Sequence, residues 1–407
     1  MHDLTSFGLT VLLVAAALSA ALLASKLSAR VSIPSAALFL LASALASDLF
    51  PSLTLSIETV ERIGTIALVV ILFDGGSSIG LRRFRVVAMP IGALGVLGTF
   101  VTAGVLALFA HWALGLGWLT AGLLGSAIAP TDPAVMFSVL GQREIGGRAG
   151  TILEGESGAN DPVGIALTVG MIELATHANE TFWVVVRIFC EQMAVGLAFG
   201  ILGGLLVRWV QERVTFPSSG LHTISTLALA GLVYGAATVS HGSGFLAVFV
   251  AGLIAGGGSA PFSSEIAAFQ DGLSTLAEIV VFVALGLTID LATVTPARWA
   301  AGLALAAVAA LVARPAAVVP LLAPSTLGRN EQAFIVWGGL KGAVPILLAA
   351  FAVGEGVAHA AKIYELVFVV VLASVIVQGG TISWAARRLG IEARPSRPRG
   401  ARAGSAL

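Results

Sequence analysis

The sequence predicts an all-α polytopic membrane protein of about 13 transmembrane helices, built as two inverted six-helix repeats with broken crossing helices. Three observations carry this. First, 57% of the 407 residues are hydrophobic and only 11% are charged, whereas a soluble domain carries about 25% charged residues. Second, the apolar runs fall into two near-equal blocks of six with one run between them. Third, one run in each block is interrupted by proline or glycine beside a charge. The net charge of zero says nothing about partners, because the charges are segregated by loop. The single cysteine, Cys190, has no partner for an internal disulfide and reads as a small hydrophobe.

The runs lie near 4–25, 33–50, 60–79, 86–110, 117–140, 150–175, 182–207, 221–240, 244–258, 268–289, 299–322, 332–351 and 362–386, about the lengths a bilayer requires. The first opens Met1-His2-Asp3 without the basic region of a signal peptide, and Lys26 and Arg30 follow it. The run at 244–258 is too short to span upright and is expected to be partly re-entrant. Thirteen spans place the two ends on opposite sides. Lys26, Arg30, Arg82, Arg83, Arg85, Arg143, Arg148, Arg208, Arg213, Arg329 and the tail from Arg387 to Arg402 share one side. The other side has Arg62, Arg187, Arg298 and Lys362. The positive-inside rule makes the crowded side cytoplasmic and the N-terminus external. The transmembrane unit therefore covers residues 1–388, with repeat one at about 4–175, a linking helix at about 182–207 and repeat two at about 221–386. Residues 389–407 read as a disordered basic cytoplasmic tail, too short for a soluble regulatory domain.

The fifth span of each block is broken. Ala129-Pro130-Thr131-Asp132-Pro133 interrupts the first, and Gly338-Gly339-Leu340-Lys341-Gly342-Ala343-Val344-Pro345 the second. Each proline frees a carbonyl one turn back, and such an opening persists in a bilayer only where protein or water satisfies it. Corresponding interrupted segments mark a transporter's site. The sixth span carries Gly155-Glu156-Ser157-Gly158-Ala159-Asn160-Asp161-Pro162 at depth, where each charge costs roughly 2.5–3.5 kcal/mol on insertion scales. Helical spacing puts Glu154, Ser157 and Asp161 on one face, and Glu156 and Asn160 on the neighbouring one. Carboxylate, hydroxyl and free carbonyl are hard ligands for a small cation, and no Cys/His cluster suits a transition metal.

Lys341 needs a partner, and Glu156 is the one expected; the alternative is a lysine reaching the cytoplasmic interface. Arg314 is a second deep cation, with Glu154 and Glu278 as open choices. Asp74, in Leu72-Phe73-Asp74-Gly75-Gly76, is a ligand or a helix-end cap. Asp132 is a ligand or a cap for the second half of its span. Glu191, Asp271 and Glu278 are expected to be structural or interfacial, and no chemistry falls to the six histidines.

Together these motifs resemble those of the NhaP-type monovalent cation/proton antiporters, over roughly residues 5–388. Leu-Phe-Asp74-Gly-Gly, Ser25-Lys26-Leu27-Ser28 and Phe368-Val-Val-Val look closer to the bacterial potassium/proton branch, whose members usually continue into regulatory domains. In the sodium/proton branch, Glu commonly stands at position 74 and Arg at 341. The resemblance implies the NhaA/NhaP-like antiporter fold, with Asp161 as the carboxylate shared by Na+ or K+ and the proton. Thr131, Ser157 and Asp74 would help hold the ion, Asp132 would contribute directly or through water, and Asn160 would stabilise the site. Glu156 with Lys341 would be a structural ion pair. It also implies a homodimer in a plasma (inner) membrane and elevator-like movement of a six-helix core. No cofactor or nucleic-acid partner is expected. A cation channel or an ion-coupled organic solute symporter is the competing reading. An enzyme finds no nucleophile–base pair or metal motif to support it.

Overall fold

The computed structural model describes residues 34–132, 135–136, 143–145, 147–177, 179–257, 262–391 and 393–395, with residues 8, 12, 15, 19, 21–23 and 26 before them. Most of the first expected helix, the second half of span five beyond Met136 and the tail beyond Pro395 lie outside the described residues.

After Pro34 the chain enters α1, Ser35–Leu49. The next helix, α2, Ile57–Val86, starts where the Ser56 hydroxyl accepts from the Thr59 N–H at 3.3 Å, and kinks at Gly80, whose φ is +65°. Then come α3, Ala88–Leu114, and α4, Trp118–Ile128. Beyond the break and the short strand β1, Arg143–Ile145, runs α5, Gly147–Thr176, which continues through Pro162. The linking helix is α6, Trp183–Arg213. The second block comprises α7, Ser219–Val239, α8, Gly244–Ala255, α9, Ser263–Gly286, α10, Pro296–Leu322, the halves α11, Arg329–Trp337, and α12, Ala343–Gly354, and finally α13, Ala360–Arg388. Seven described helices are long and apolar enough to cross a membrane; α1, α4, α8, α11 and α12 are shorter, and α5, 30 residues long, is not among the seven because polar and charged residues interrupt it.

Packing shows the internal repeat. Helix α2 runs along α8 as α1 runs along α9; α3 packs on α5 as α10 packs on α13; α3 meets α4 as α10 meets α11. Exchanging α1–α5 with α8–α13 reproduces each pair, as a two-fold relation demands, and the single intervening span makes the copies antiparallel. Helices α3 and α10 each contain a π-helical stretch, Ala93–Gly98 and Ala309–Ala313.

The ends group as the charge pattern requires. On one face Arg83 Nη2 donates to Thr151 Oγ1 at 3.2 Å, and Arg148 Nη1 to Thr326 Oγ1 at 2.6 Å. On the other, Arg298 at the start of α10 pairs with Glu365 at 2.6 Å.

Two features add to the sequence reading. The run at 244–258 contains one continuous 12-residue helix, α8, buried between α2 and α6. It is shielded from lipid by its neighbours, so it need not match the bilayer's thickness. The basic tail is not featureless: β2, Ala393–Pro395, pairs antiparallel with β1, Arg143 opposite Pro395. Backbone pairing needs no apolar pattern, so composition alone concealed it.

Helices α2 and α8 meet backbone to backbone. A Cβ at Gly76 would strike the carbonyl of Phe249, and one at Gly252 that of Phe73, whereas Gly75 faces open space. Gly76→Val is therefore expected to lower the melting temperature in detergent sharply or prevent recovery of monodisperse protein. Gly75→Ala should leave it unchanged or raise it slightly, since Ala in a helix gains about 0.5–1 kcal/mol over Gly.

Candidate functional site

The site is built where the two broken spans cross. Helix α4 ends in Pro130, which has no N–H, and the Ala129 N–H is shared between the carbonyls of Gly125 at 3.0 Å and Ser126 at 3.4 Å. The next carbonyls have no helical donor to receive. Lys341, from the break between α11 and α12, supplies one: its Nζ donates to Ala129 O at 2.8 Å and to Pro130 O at 3.1 Å. A cation at a helix C-terminus is stabilised by the helix dipole, by about 0.3–1 kcal/mol when exposed and more when buried. In return, the Asp132 N–H donates to Leu340 O at 2.8 Å. The Asp132 carboxylate lies against Gly342 at the N-terminal end of α12, where a Cβ would occupy its place. That is the favourable sign for a helix N-terminus. Each break thus neutralises the other's exposed helix end.

The following helix in each repeat satisfies what remains. From α5, Asn160 Nδ2 donates to Thr131 Oγ1 at 2.7 Å while its Oδ1 accepts from the Thr131 N–H at 3.4 Å. From α13, Ser374 Oγ accepts from the Lys341 N–H at 2.9 Å and donates to Gln378 Oε1 at 2.7 Å. Gln378 Nε2 then reaches Trp337 O at 3.2 Å.

The expected ion pair is corrected. Glu156, 1% exposed, binds Arg314, 4% exposed, not Lys341. Arg314 Nη1 donates to Glu156 Oε1, and its Nη2 donates to Oε2 at 2.8 Å and to Ile335 O at 3.1 Å. Neither Glu154 nor Glu278 is its partner. Arg314 directly follows the π-helical stretch of α10, and Gly339 leaves room for its guanidinium, where a Cβ would clash. A planar fork suits a bidentate carboxylate, whereas an ammonium serves as a point donor to carbonyls. That difference assigns the two cations, and sequence spacing does not reveal it.

Beside the crossing lies a cavity of about 500 Å³. Asp74 from α2, Asp132, and Glu154, Ser157 and Asp161 from α5 line it. Asn160 and Thr131 are not among its lining residues; they brace it through their mutual hydrogen bonds. Asp74 is buried inside α2, which continues to Val86, so it is not a helix-end cap. Asp161 is 4% exposed, and its Oδ1 finds no hydrogen-bond partner among the described residues. Asp132 and Lys341 are close enough to act on its charge. The cavity also takes Asp271, Ser274, Thr275 and Glu278 from α9; of these, Asp271 and Glu278 were expected to be structural or interfacial, and the two hydroxyls had no assignment. Their i, i+3, i+4, i+7 spacing in an apolar span was the available signal. Buried carboxylates and hydroxyls with an unpartnered oxygen suit a small cation or a proton, and both deep cations are engaged elsewhere.

Breaking the buried pair should be costly. Arg314→Ala and Glu156→Ala are each expected to destabilise by about 3–5 kcal/mol, because each strands a buried charge. A double-mutant cycle on detergent-solubilised protein should give a larger coupling energy for Glu156–Arg314 than for Glu156–Lys341.

Known proteins agree with this architecture. Residues 13–388 match the family model described as sodium/hydrogen exchanger, transmembrane. The chain is 36% identical over 391 residues to the K(+)/H(+) antiporter NhaP of Alkalimonas amylolytica, covering 95% of this chain and 68% of the relative. It is 34% identical over 381 residues to the K(+)/H(+) antiporter NhaP2 of Shewanella sp. (strain ANA-3), covering 92% and 66%. The chain thus spans about two thirds of the length of these relatives. The Na(+)/H(+) antiporter NhaP of Pseudomonas aeruginosa is 27% identical over 363 residues, 82% of each chain. The sodium proton antiporter MjNhaP1 from Methanocaldococcus jannaschii superposes with a TM-score of 0.79 at 22% identity, over 95% of this chain and all of that one, a likeness of fold. This integral membrane protein belongs to the sodium/hydrogen exchanger family.

Proposed function

We propose that this chain is a secondary antiporter exchanging a monovalent cation for H+, with the two ions competing for Asp161. The observation that carries the proposal is the buried Asp161 carboxylate, one oxygen of which has no hydrogen-bond partner among the described residues, in a cavity that carboxylates and hydroxyls help to line. One carboxylate cannot hold a proton and a cation fully at once, so competition couples their movements. One proton for one monovalent cation makes the exchange electroneutral. Asp74, Ser157 and Asp132 contribute oxygen ligands to the same ion, and Thr131 with Asn160 holds the broken backbone beside it. K+ is the favoured cation, supported by the greater identity to the K(+)/H(+) relatives than to the P. aeruginosa Na(+)/H(+) antiporter. The chain acts as a homodimer in the plasma membrane with its basic face cytoplasmic, a reading supported by the segregated arginines and the family likeness. An organic-anion symporter needs free cationic groups at its site, yet Arg314 is bound to Glu156 and Lys341 to backbone carbonyls.

In proteoliposomes, Asp161→Asn should abolish cation-driven proton flux while the protein remains extractable. Flux near the wild-type rate would remove Asp161 from the mechanism. With wild type, the half-saturating K+ concentration should rise as pH falls while the maximal rate at saturating K+ changes much less. A half-saturating concentration that stays flat across the pH range where transport switches on would contradict competition. Steady current in voltage-clamped proteoliposomes would overturn the one-for-one stoichiometry.

A further inference from the structure

The wall of the cavity opposite α5 belongs to α9, where the antiport reading assigns no role. Asp271, Ser274, Thr275 and Glu278 form a polar stripe at i, i+3, i+4 and i+7, rising about 10 Å along the axis at 1.5 Å per residue. Beyond it α9 turns apolar, through Ile279, Val281 and Phe282. A stripe of this kind in a membrane helix faces a cavity, since lipid does not solvate it. Asp271 and Thr275 are exposed, Ser274 and Glu278 are half-buried, and Asp161, across the cavity, is buried. Glu278 forms no salt bridge within the described residues, and the charge that acts on it is another carboxylate, Asp132. Two carboxylates facing one cavity from different helices repel unless a cation or proton lies between them. Asp161, buried and with one oxygen unpartnered among the described residues, faces the same space.

We propose that the α9 stripe is a cation-loading wall, in which Glu278 holds the arriving monovalent cation opposite Asp161 and sets its affinity. Asp271, Ser274 and Thr275 supply oxygen steps from the exposed mouth. Glu278 is a positioning group for the cation, while Asp161 carries the proton exchange. This inference rests on the antiport reading but assigns a residue that reading does not use.

The test is K+-driven proton flux in proteoliposomes, measured as half-saturation and maximal rate. Glu278→Gln should raise the half-saturating K+ concentration about tenfold, equivalent to one lost favourable charge contact of about 1.4 kcal/mol, and change the maximal rate less than about twofold. Glu278→Asp should recover most of the affinity, a rescue that a purely structural role does not predict. Should Glu278→Gln fail to fold, Ser274→Ala/Thr275→Val keeps every charge and should still weaken half-saturation severalfold. Wild-type half-saturation in Glu278→Gln, or in the double hydroxyl variant where it stands in, overturns the loading wall and leaves antiport intact. Wild-type protein that exchanges no cation for protons overturns both.

Discussion

The structure depends on one constraint: backbone opened inside a membrane must find partners. Both interrupted spans meet it through each other. Lys341 crosses to the carbonyls that end α4, and Asp132 crosses to the backbone that precedes α12. The next helix of each repeat then closes the gap, Asn160 on one side and Ser374 with Gln378 on the other. These bonds form only when the two repeats lie antiparallel, so the two-fold arrangement and the breaks require one another.

The chemistry follows from how the charges are used. Arg314 holds Glu156 with a bidentate fork, and Lys341 is spent on carbonyls. Neither donates a hydrogen bond to Asp161, which keeps a carboxylate oxygen without a hydrogen-bond partner among the described residues. A buried carboxylate with an unsatisfied oxygen is expensive. On the proposed mechanism its compensation is the transported ion itself, proton or cation, and this makes the empty ionised site the least favourable state. Exchange is then enforced by the cost of leaving Asp161 bare, with no separate coupling device.

Much of this was legible in the sequence. Proline and glycine beside charge located both breaks, and the 3.6-residue period separated the face of Asp161, Ser157 and Glu154 from that of Glu156 and Asn160 as the structure does. What sequence could not supply was distance between segments. Lys341 and Arg314 both needed a deep partner, and spacing along the chain does not say which reaches Glu156. The geometry of a guanidinium against that of an ammonium decides it. Asp271 and Glu278 were passed over because acidic residues near a span end usually face water, and only the packing of α9 against α1 and α2 turns their stripe inward. The strand pair between β1 and β2 left no pattern to read.

The central claim is that cation and proton displace one another at Asp161. Proton release on adding K+ to weakly buffered, detergent-solubilised protein tests it without transport. The account predicts about one proton released per K+ bound at a pH where the site is protonated, and none from Asp161→Asn. K+ binding to wild type with no proton released, at every pH where binding is seen, would contradict it.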